Sequence, residues 1–258
     1  MLPAEPEACR MKTRDGVRWA YNAQVVVDSH SQIIVAQDVC AQATDHGLLV
    51  AMIEEVVDAL GESAGETVAD AGYYSGKELE AAKASGYDVI VASPNDEKAK
   101  NDPYHVVHFD YDADKDCFIC PQGKELPYMT TGPRGYNNEP KRVYRCVCFK
   151  ECPVRTQCSN AKNGRTVVLD PHRDAVLRQR VKRNTDTSRA LLGRRKVIVE
   201  PVFGWLKDRL GMRRWRVKGL EKIQAEWALA CTIVNLKKLH RHRIQSNPIS
   251  PIYAYAYS

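Results

Sequence analysis

The chain has 258 residues, a net charge of +6 and 44% hydrophobic residues. This length is enough for one large or two smaller domains with a real core. No apolar run approaches the ~20 residues of a membrane-spanning helix, and the first residues are neither basic nor followed by an apolar segment, which argues against a secretory signal. We therefore expect a cytoplasmic protein that does not enter a membrane.

The charge is distributed unevenly along the chain. Residues 1–172 contain 18 Lys and Arg against 26 Asp and Glu, whereas residues 173–258 contain 20 against 6. The segment 173–222 alone holds 16 of these cations. Such a block is typical of a surface that binds a polyanion, because Lys and Arg neutralise backbone phosphates. The alternative is a pair of solvated basic helices.

Strand and helix patterns alternate over residues 1–100. After a polar, extended start at 1–15, residues 19–27 and 33–39 predict a β-hairpin with its turn at 29–31. The elements predicted next are a helix at 48–60 with N-caps at 44–46 and Gly61 at its end, a strand at 67–69, a helix at 76–84 after Ser75, and a buried strand at 87–92. This alternation predicts a mixed α/β sheet.

Residues 101–170 break the pattern, because they are rich in Asp, Gly, Pro and Cys and show only short strand-like pieces such as 142–148. The segment is too long for a plain loop, so we expect an inserted subdomain. Helical patterning returns near residue 171 and continues to about 243. It includes an amphipathic helix at 220–239, expected to pack on the rest of the domain. The tail, 244–258, is predicted to be disordered.

A single acidic residue, Glu200, lies in the otherwise cationic and apolar run 193–207. Lys207 falls on the same helix side two turns later. Pro201 predicts that Glu200 lies at a kink or at a helix start. A lone carboxylate in such a helix either forms a structural ion pair or holds a divalent metal beside a phosphate.

A second carboxylate, Asp70, ends the short strand at 67–69 and is followed by a Gly-containing turn. Carboxylates from two distant segments are the parts of a metal-dependent phosphoryl-transfer site. Mg²⁺ takes one or two protein carboxylates and completes its shell with water and phosphate oxygens. A pair of such ions stabilises the attacking and leaving oxygens of an in-line displacement.

These motifs resemble a known family. Ala69-Asp70-Ala71-Gly72-Tyr73-Tyr74-Ser75, together with Val199-Glu200-Pro201-Val202-Phe203-Gly204-Trp205-Leu206-Lys207, is similar to the DDE transposases of bacterial insertion sequences, and most similar to the IS1182 group of the IS4/IS5-like class. Residues 16–39, with Tyr21-Asn22-Ala23-Gln24, also match. The resemblance implies a ribonuclease-H-like fold at 1–100 and 171–243, interrupted by an inserted Cys-rich, zinc-ribbon-like subdomain at 101–170.

The resemblance also implies an activity and a site. The activity is metal-dependent DNA strand cleavage and strand transfer, with Asp70 and Glu200 as catalytic ligands of Mg²⁺ or Mn²⁺ and Lys207 as a phosphate contact. The family's first catalytic Asp lies on an opening strand upstream of residue 21. Asp15 and Asp28 are the nearest acids, and both are interpreted as turn residues. We therefore expect a truncated, catalytically incomplete copy.

The cysteines form the second chemical signal. Of nine cysteines, six lie between Cys117 and Cys158, and in a cytosolic chain such clustering favours metal over disulfides. The resembling group keeps a Cys-Pro-x-Gly motif, here at Cys120, followed by three further cysteines. The predicted Zn²⁺ ligands are therefore Cys120, Cys148, Cys152 and Cys158. Cys117 and Cys146 are the substitutes, and buried reduced thiols are the alternative.

The predicted partner is double-stranded DNA at the terminal inverted repeats of the element, bound by a homo-oligomer. Lys207, Arg213, Arg214 and Arg216 are the predicted DNA contacts, whereas Trp205 and Trp215 are expected in the core. Two alternatives stay open. One is a non-catalytic DNA-binding remnant that occupies element ends or sequesters intact transposase, and the other is a structural zinc protein.

Overall fold

The computed structural model of the protein describes residues 5–13, 16–134 and 139–246. Its strands are β1 Cys9–Thr13, β2 Gly16–Ala20, β3 Asn22–Val27, β4 Ile34–Cys40, β5 Thr67–Ala69, β6 Val89–Val91, β7 Asp110–Asp112, β8 Cys117–Ile119, β9 Glu125–Arg134, β10 Glu139–Arg145 and β11 Thr166–Leu169. Its helices are α1 Leu49–Leu60, α2 Gly76–Ala84, α3 Asp96–Asn101, α4 Arg155–Cys158, α5 Arg173–Arg183, α6 Asp186–Asp208 and α7 Leu220–Ser246.

The predicted hairpin forms as β3 and β4, which pair antiparallel. Asp28 lies in its turn, where the carboxylate accepts hydrogen bonds from the backbone amides of His30 and Ser31, so its interpretation as a turn residue is confirmed. Asp15 lies outside the described residues. The extended start, for which the sequence indicates no pairing, forms a second hairpin from β1 and β2.

The helix and strand predictions around Asp70 are confirmed. Gly61 ends α1 with a left-handed φ of 79° and donates its amide to the Val57 carbonyl, a conformation that glycine adopts without steric cost. β5 pairs with β6 in parallel. The predicted side-chain cap at 44–46 is wrong, because the N-cap position is Leu48. The carboxylate of Glu78 on α2 instead accepts the amide of Val50 in the first turn at 3.1 Å.

The fold class is mixed α/β, as predicted. A continuous ribonuclease-H-like sheet would join the β3–β4 hairpin to the β5–β6 pair by hydrogen bonds. Across the described residues these are separate two-stranded sheets, so the ribonuclease-H-like arrangement and the four-part division of the chain stay predictions.

The segment 101–170 contains a curled five-stranded antiparallel sheet in the order β11-β10-β9-β8-β7. Its long strand β9 pairs with β8 through its first residues and with β10 through the rest. The strand β9 therefore connects the β7–β8 part of the sheet to the β10–β11 part. A separate core includes Phe109, Phe118, Leu126, Tyr144 and Val167. The segment therefore contains more strand than the short pieces that the sequence predicts.

Helices α6 and α7 pack against the β3–β4 hairpin, whereas α5 packs on α2 and β6. Trp227 of α7 is buried and donates its indole N–H to the Gln24 carbonyl of β3 at 3.2 Å. Trp205 and Trp215 pack partly buried on the same cluster, which confirms their assignment to the core. α7 continues to Ser246, so the predicted disorder at 244–246 is wrong, and the remaining tail lies outside the described residues.

Candidate acidic site, basic surface and cysteine cluster

Asp70 follows β5 directly and begins a short 3₁₀ turn, Ala71–Tyr73. One carboxylate oxygen, Oδ1, accepts the Gly72 amide at 2.9 Å. The other, Oδ2, lies 3.6 Å from Nη1 of Arg195 on α6. The Asp70 side chain is 43% exposed, so this ion pair stays open to solvent and is correspondingly weak.

Asp45 is the second carboxylate of the site, and no sequence pattern indicates its role. Its Oδ1 accepts hydrogen bonds from the side-chain amides of Asn22, at 2.7 Å, and Gln24, at 2.8 Å, both on β3. An Oδ atom of Asp45 and one of Asp70 lie within 3.0 Å of the same point, the place where a Cβ on Gly72 would stand. Glycine at position 72 therefore lets both carboxylates approach one side of the turn.

The phenol of Tyr73 lies close to the charged groups of this turn, and they contribute to the shift of its pKa. Burial raises its pKa most, and the carboxylates of Asp45 and Asp70 raise it further, while Arg195 acts in the opposite direction. A neutral phenol between charged groups can donate a hydrogen bond but cannot serve as a general base at neutral pH. The turn thus combines two acids, one cation and one neutral donor.

Glu200 lies on α6 but does not join these acids. It is five residues beyond Arg195, which is about 140° around the helix and about 7.5 Å along it, and it is exposed. Ideal helix geometry therefore turns Glu200 away from the side of α6 on which Arg195 meets Asp70, and among the described residues Asp45, Asp70 and Glu200 do not form a group that could hold a metal ion. Lys207 shares the exposed side with Glu200, as predicted, and its ammonium lies 5.0 Å from the centroid of the Phe203 ring.

Pro201 neither starts nor ends α6, contrary to the helix-start alternative, because α6 runs through it. Proline has no amide to donate to the carbonyl four residues earlier. That carbonyl, on Val197, instead accepts the side-chain amide of Gln32 at 3.2 Å. Gln32 lies in the β3–β4 turn with a φ of 57°, and its own carbonyl accepts the Lys238 ammonium of α7. The hairpin turn thus stabilises α6 where its own hydrogen bonding is interrupted.

The predicted DNA contacts lie on the exposed side of α6 and in the loop that follows it. Arg213 pairs with Asp208, and the guanidinium of Arg216 donates to the Leu210 carbonyl at 3.0 Å. Arg214 is exposed, and no ion pair involves it within the described parts of the chain. The exposed cations of α6 and of the loop after it include Arg194, Lys196, Lys207, Arg209, Arg213, Arg214, Arg216 and Lys218. We call this set the basic surface.

The cysteines of the insertion lie close together. Burial raises the pKa of Cys146 to about 11 and also raises the pKa of Cys158, as expected of neutral thiols that pack as apolar groups. Over residues 5–13, 16–134 and 139–246, no three His, Cys, Asp or Glu side chains stand ready to hold a metal ion. The predicted zinc ligands are therefore near one another but not arranged as a finished site.

Comparison with known proteins adds one finding. Residues 119–240, a little under half of the chain, match the family model described as a transposase DDE domain. The match supports a DDE transposase. It includes Glu200 and the cysteines from Cys120 onward, whereas Asp45 and Asp70 lie before it. No curated protein and no solved structure matches the chain.

Among the described helices, none is both long enough and apolar enough to span a membrane.

Proposed function

We propose that the chain is a transposase of an insertion sequence that binds the terminal inverted repeats of its element and acts on their phosphodiesters. The observation that carries this proposal is the position of Asp70, at the end of β5 beside Asp45 and facing the cationic helix α6. Within the transposase families, the motifs favour the IS1182-like group of the IS4/IS5-like class. A homo-oligomer in the cytoplasm is part of the same proposal.

The acidic site suits Mg²⁺ or Mn²⁺. Both are hard cations that prefer oxygen ligands and need only one or two carboxylates from the protein, and Asp45 and Asp70 supply two. When bound, the ion would polarise a phosphate oxygen and lower the pKa of a bound water. Glu200, the other predicted ligand, lies about 140° around an ideal helix from Arg195, so DNA or a partner subunit would have to bring it to Asp70.

Side chains of the protein would position the carboxylates and bind the DNA backbone. Asn22 and Gln24 hold Asp45 through its Oδ1 and leave Oδ2 for a ligand. Arg195 offsets the charge of Asp70 until a cation or a phosphate competes for either partner. Lys207 and the other cations of the basic surface would bind the DNA backbone, a term that is largely independent of sequence and falls with salt.

Metal-dependent cleavage of a terminal-repeat duplex tests the activity. Asp70→Asn should abolish cleavage, while Asp58→Asn should leave it intact, because Asp58 is exposed on α1 away from the site. Salt-sensitive DNA binding with no cleavage in Mg²⁺ or Mn²⁺ would instead favour the second candidate, a non-catalytic DNA-binding protein. The observation that favours this candidate is the separation of Glu200 from Asp70, which leaves the predicted set of catalytic acids incomplete.

We also propose that the inserted segment 101–170 binds Zn²⁺ through its cysteines. The residues predicted from the sequence are Cys120, Cys148, Cys152 and Cys158. A structural zinc would stabilise a small sheet that has only a limited core of its own.

A further inference from the structure

The turn between β8 and β9 is built around Cys120. The Cys120 amide donates to the Lys124 carbonyl at 2.9 Å, and the Gly123 amide donates to the Cys120 carbonyl at 2.8 Å. Gly123 has a left-handed φ of 71°, which closes the turn at no steric cost. The Lys124 amide then points at Sγ of Cys120, at 3.3 Å.

A cavity of about 30 Å³ lies beside this turn. It is large enough for one water-sized particle, and therefore for a single metal ion. Four sulfur-bearing side chains from three separate segments line it: Cys120, Cys146, Cys152 and Cys158. Cys148 is not among the lining residues, although its Sγ lies 3.7 Å from that of Cys146.

The chemistry of the lining selects the ligand. Among the residues that the structure describes, no His, Asp or Glu lines the cavity, and the remaining lining includes Phe109, Leu126 and Val154. Thiolates in such surroundings select soft or borderline ions such as Zn²⁺ over Mg²⁺ or Ca²⁺. Lys124 and Arg165 also line the cavity. Their two positive charges match the net charge of −2 that four thiolates and one Zn²⁺ would carry.

Arg165 is held close to one of the proposed zinc ligands. Its Nη1 donates to the Cys158 carbonyl at 3.1 Å, which holds the guanidinium beside the proposed ligand. A cation at this position would offset part of the negative charge of a zinc–thiolate centre. Coordination requires the side chains to turn into the cavity between staggered rotamers.

We propose that Cys120, Cys146, Cys152 and Cys158 bind one Zn²⁺ in this cavity, with Cys146 in place of the Cys148 expected from the sequence. The inference rests on the proposed zinc binding of the insertion and identifies its ligands. The ion would join the β8–β9 turn, the end of β10 and the segment around α4. With four protein ligands it would be a structural centre that has no open position for catalysis.

Alkylation of the zinc-loaded full chain tests the ligand set without any substitution. Zinc content is first measured on protein purified without added metal, and about one ion per chain is expected. Iodoacetamide should then spare the four ligands, and chelation should expose them, as read by mass spectrometry. Cys148 should react at the same rate with and without zinc.

Protein loaded with Co²⁺ in place of Zn²⁺ allows cysteine variants to be compared by their absorption spectra. Cys146→Ser should remove about a quarter of the thiolate-to-cobalt absorption, because only three of the four sulfur ligands remain. Cys148→Ser and Cys231→Ser, the latter on α7, should leave the spectrum unchanged. Protection of Cys148 instead of Cys146 would overturn the inference while zinc binding itself stands. Absence of zinc from a folded chain would overturn both, and neither result depends on whether the protein cleaves DNA.

Discussion

Replacing Gly72 by alanine tests the most specific feature of the acidic site, the close approach of two carboxylates to one turn. An ideal Cβ at this position would collide with Asp45 and lie 3.0 Å from Oδ1 of Asp70. The φ of Gly72 is outside the left-handed region, so backbone strain does not contribute. Any effect therefore comes from the displaced carboxylates.

The expected magnitude follows from two opposing terms. Overpacking costs about 1–3 kcal/mol, and the loss of glycine's freedom in the unfolded chain returns about 0.4–1 kcal/mol. The two terms together predict that Gly72→Ala lowers the free energy of unfolding by up to about 2.6 kcal/mol, and by less if the end of the Asp45 side chain turns away. Gly204→Ala is the matched control, because Gly204 lies inside α6 and its ideal Cβ meets no described group outside its own helical turn within 4 Å. The control should stabilise the protein by about 1 kcal/mol.

Urea unfolding and Mn²⁺ binding, the latter measured by electron paramagnetic resonance, give the two readouts. Gly72→Ala should lower the urea midpoint and weaken Mn²⁺ binding by roughly tenfold or more, as disturbed supporting groups do at metal sites. Gly204→Ala should raise the midpoint and leave Mn²⁺ binding unchanged. If Gly72→Ala stabilises the protein as Gly204→Ala does, the two carboxylates do not flank this turn and the proposed metal site is wrong.

Two other sets of interactions give predictions of known sign. Gln32→Ala should lower the free energy of unfolding by about 1 kcal/mol in the parent protein. In a Pro201→Ala background it should lower it by less than half of that, because the restored amide can bind the Val197 carbonyl. Equal costs in a double-mutant cycle of unfolding free energies would show that the Gln32 hydrogen bond is independent of the proline. Replacing Arg213, Arg214 and Arg216 together by glutamine should weaken DNA binding for all sequences. It should also flatten the slope of log K against log salt by up to about 0.9 for each phosphate no longer neutralised, and Arg214→Gln should give the largest change of the three single variants. An unchanged slope would place the DNA elsewhere.

The elements predictable from the sequence are those whose signals are local. β5 and α2, which flank Asp70, follow from short-range periodicity and turn residues, and both appear at the predicted positions. The strand β1 has a local signal that the prediction missed, because apolar and charged residues alternate over Cys9–Thr13 and its exposure alternates with them. β9 has no such signal, because its ten residues include Gly132 and two prolines, which argue against a strand.

The site was predictable only in part, because its residues meet through tertiary contacts. Asp70 follows from the strand that delivers it. Asp45 does not, because its partners Asn22 and Gln24 are more than 20 residues away and no local pattern links them. The sequence prediction preferred Cys148 to Cys146, although both lie near the end of the same strand, whereas the cavity is lined by Cys146 and not by Cys148.

The uneven charge of the chain has a structural use in addition to DNA binding. Cations of the second half pair with acids of the first: Lys182 with Asp88 and Glu66, Arg183 with Asp96, and Arg195 with Asp70. Arg183 is the most buried of these cations, and its guanidinium donates two hydrogen bonds to Asp96. Such pairs fasten α5 and α6 to the segments around β5 and β6.

This pairing limits how many cations can neutralise phosphates. Each neutralised phosphate adds up to about 0.9 to the steepness of the salt dependence, so Lys182, Arg183 and Arg195 should contribute little to the slope while their ion pairs stay closed. Lys182→Gln should therefore lower the free energy of unfolding and leave the slope unchanged, whereas Arg214→Gln should flatten the slope and leave stability unchanged. A flatter slope for Lys182→Gln would mean that the ion pairs with Glu66 and Asp88 open when DNA binds, and that the two halves of the chain exchange intramolecular partners for phosphates.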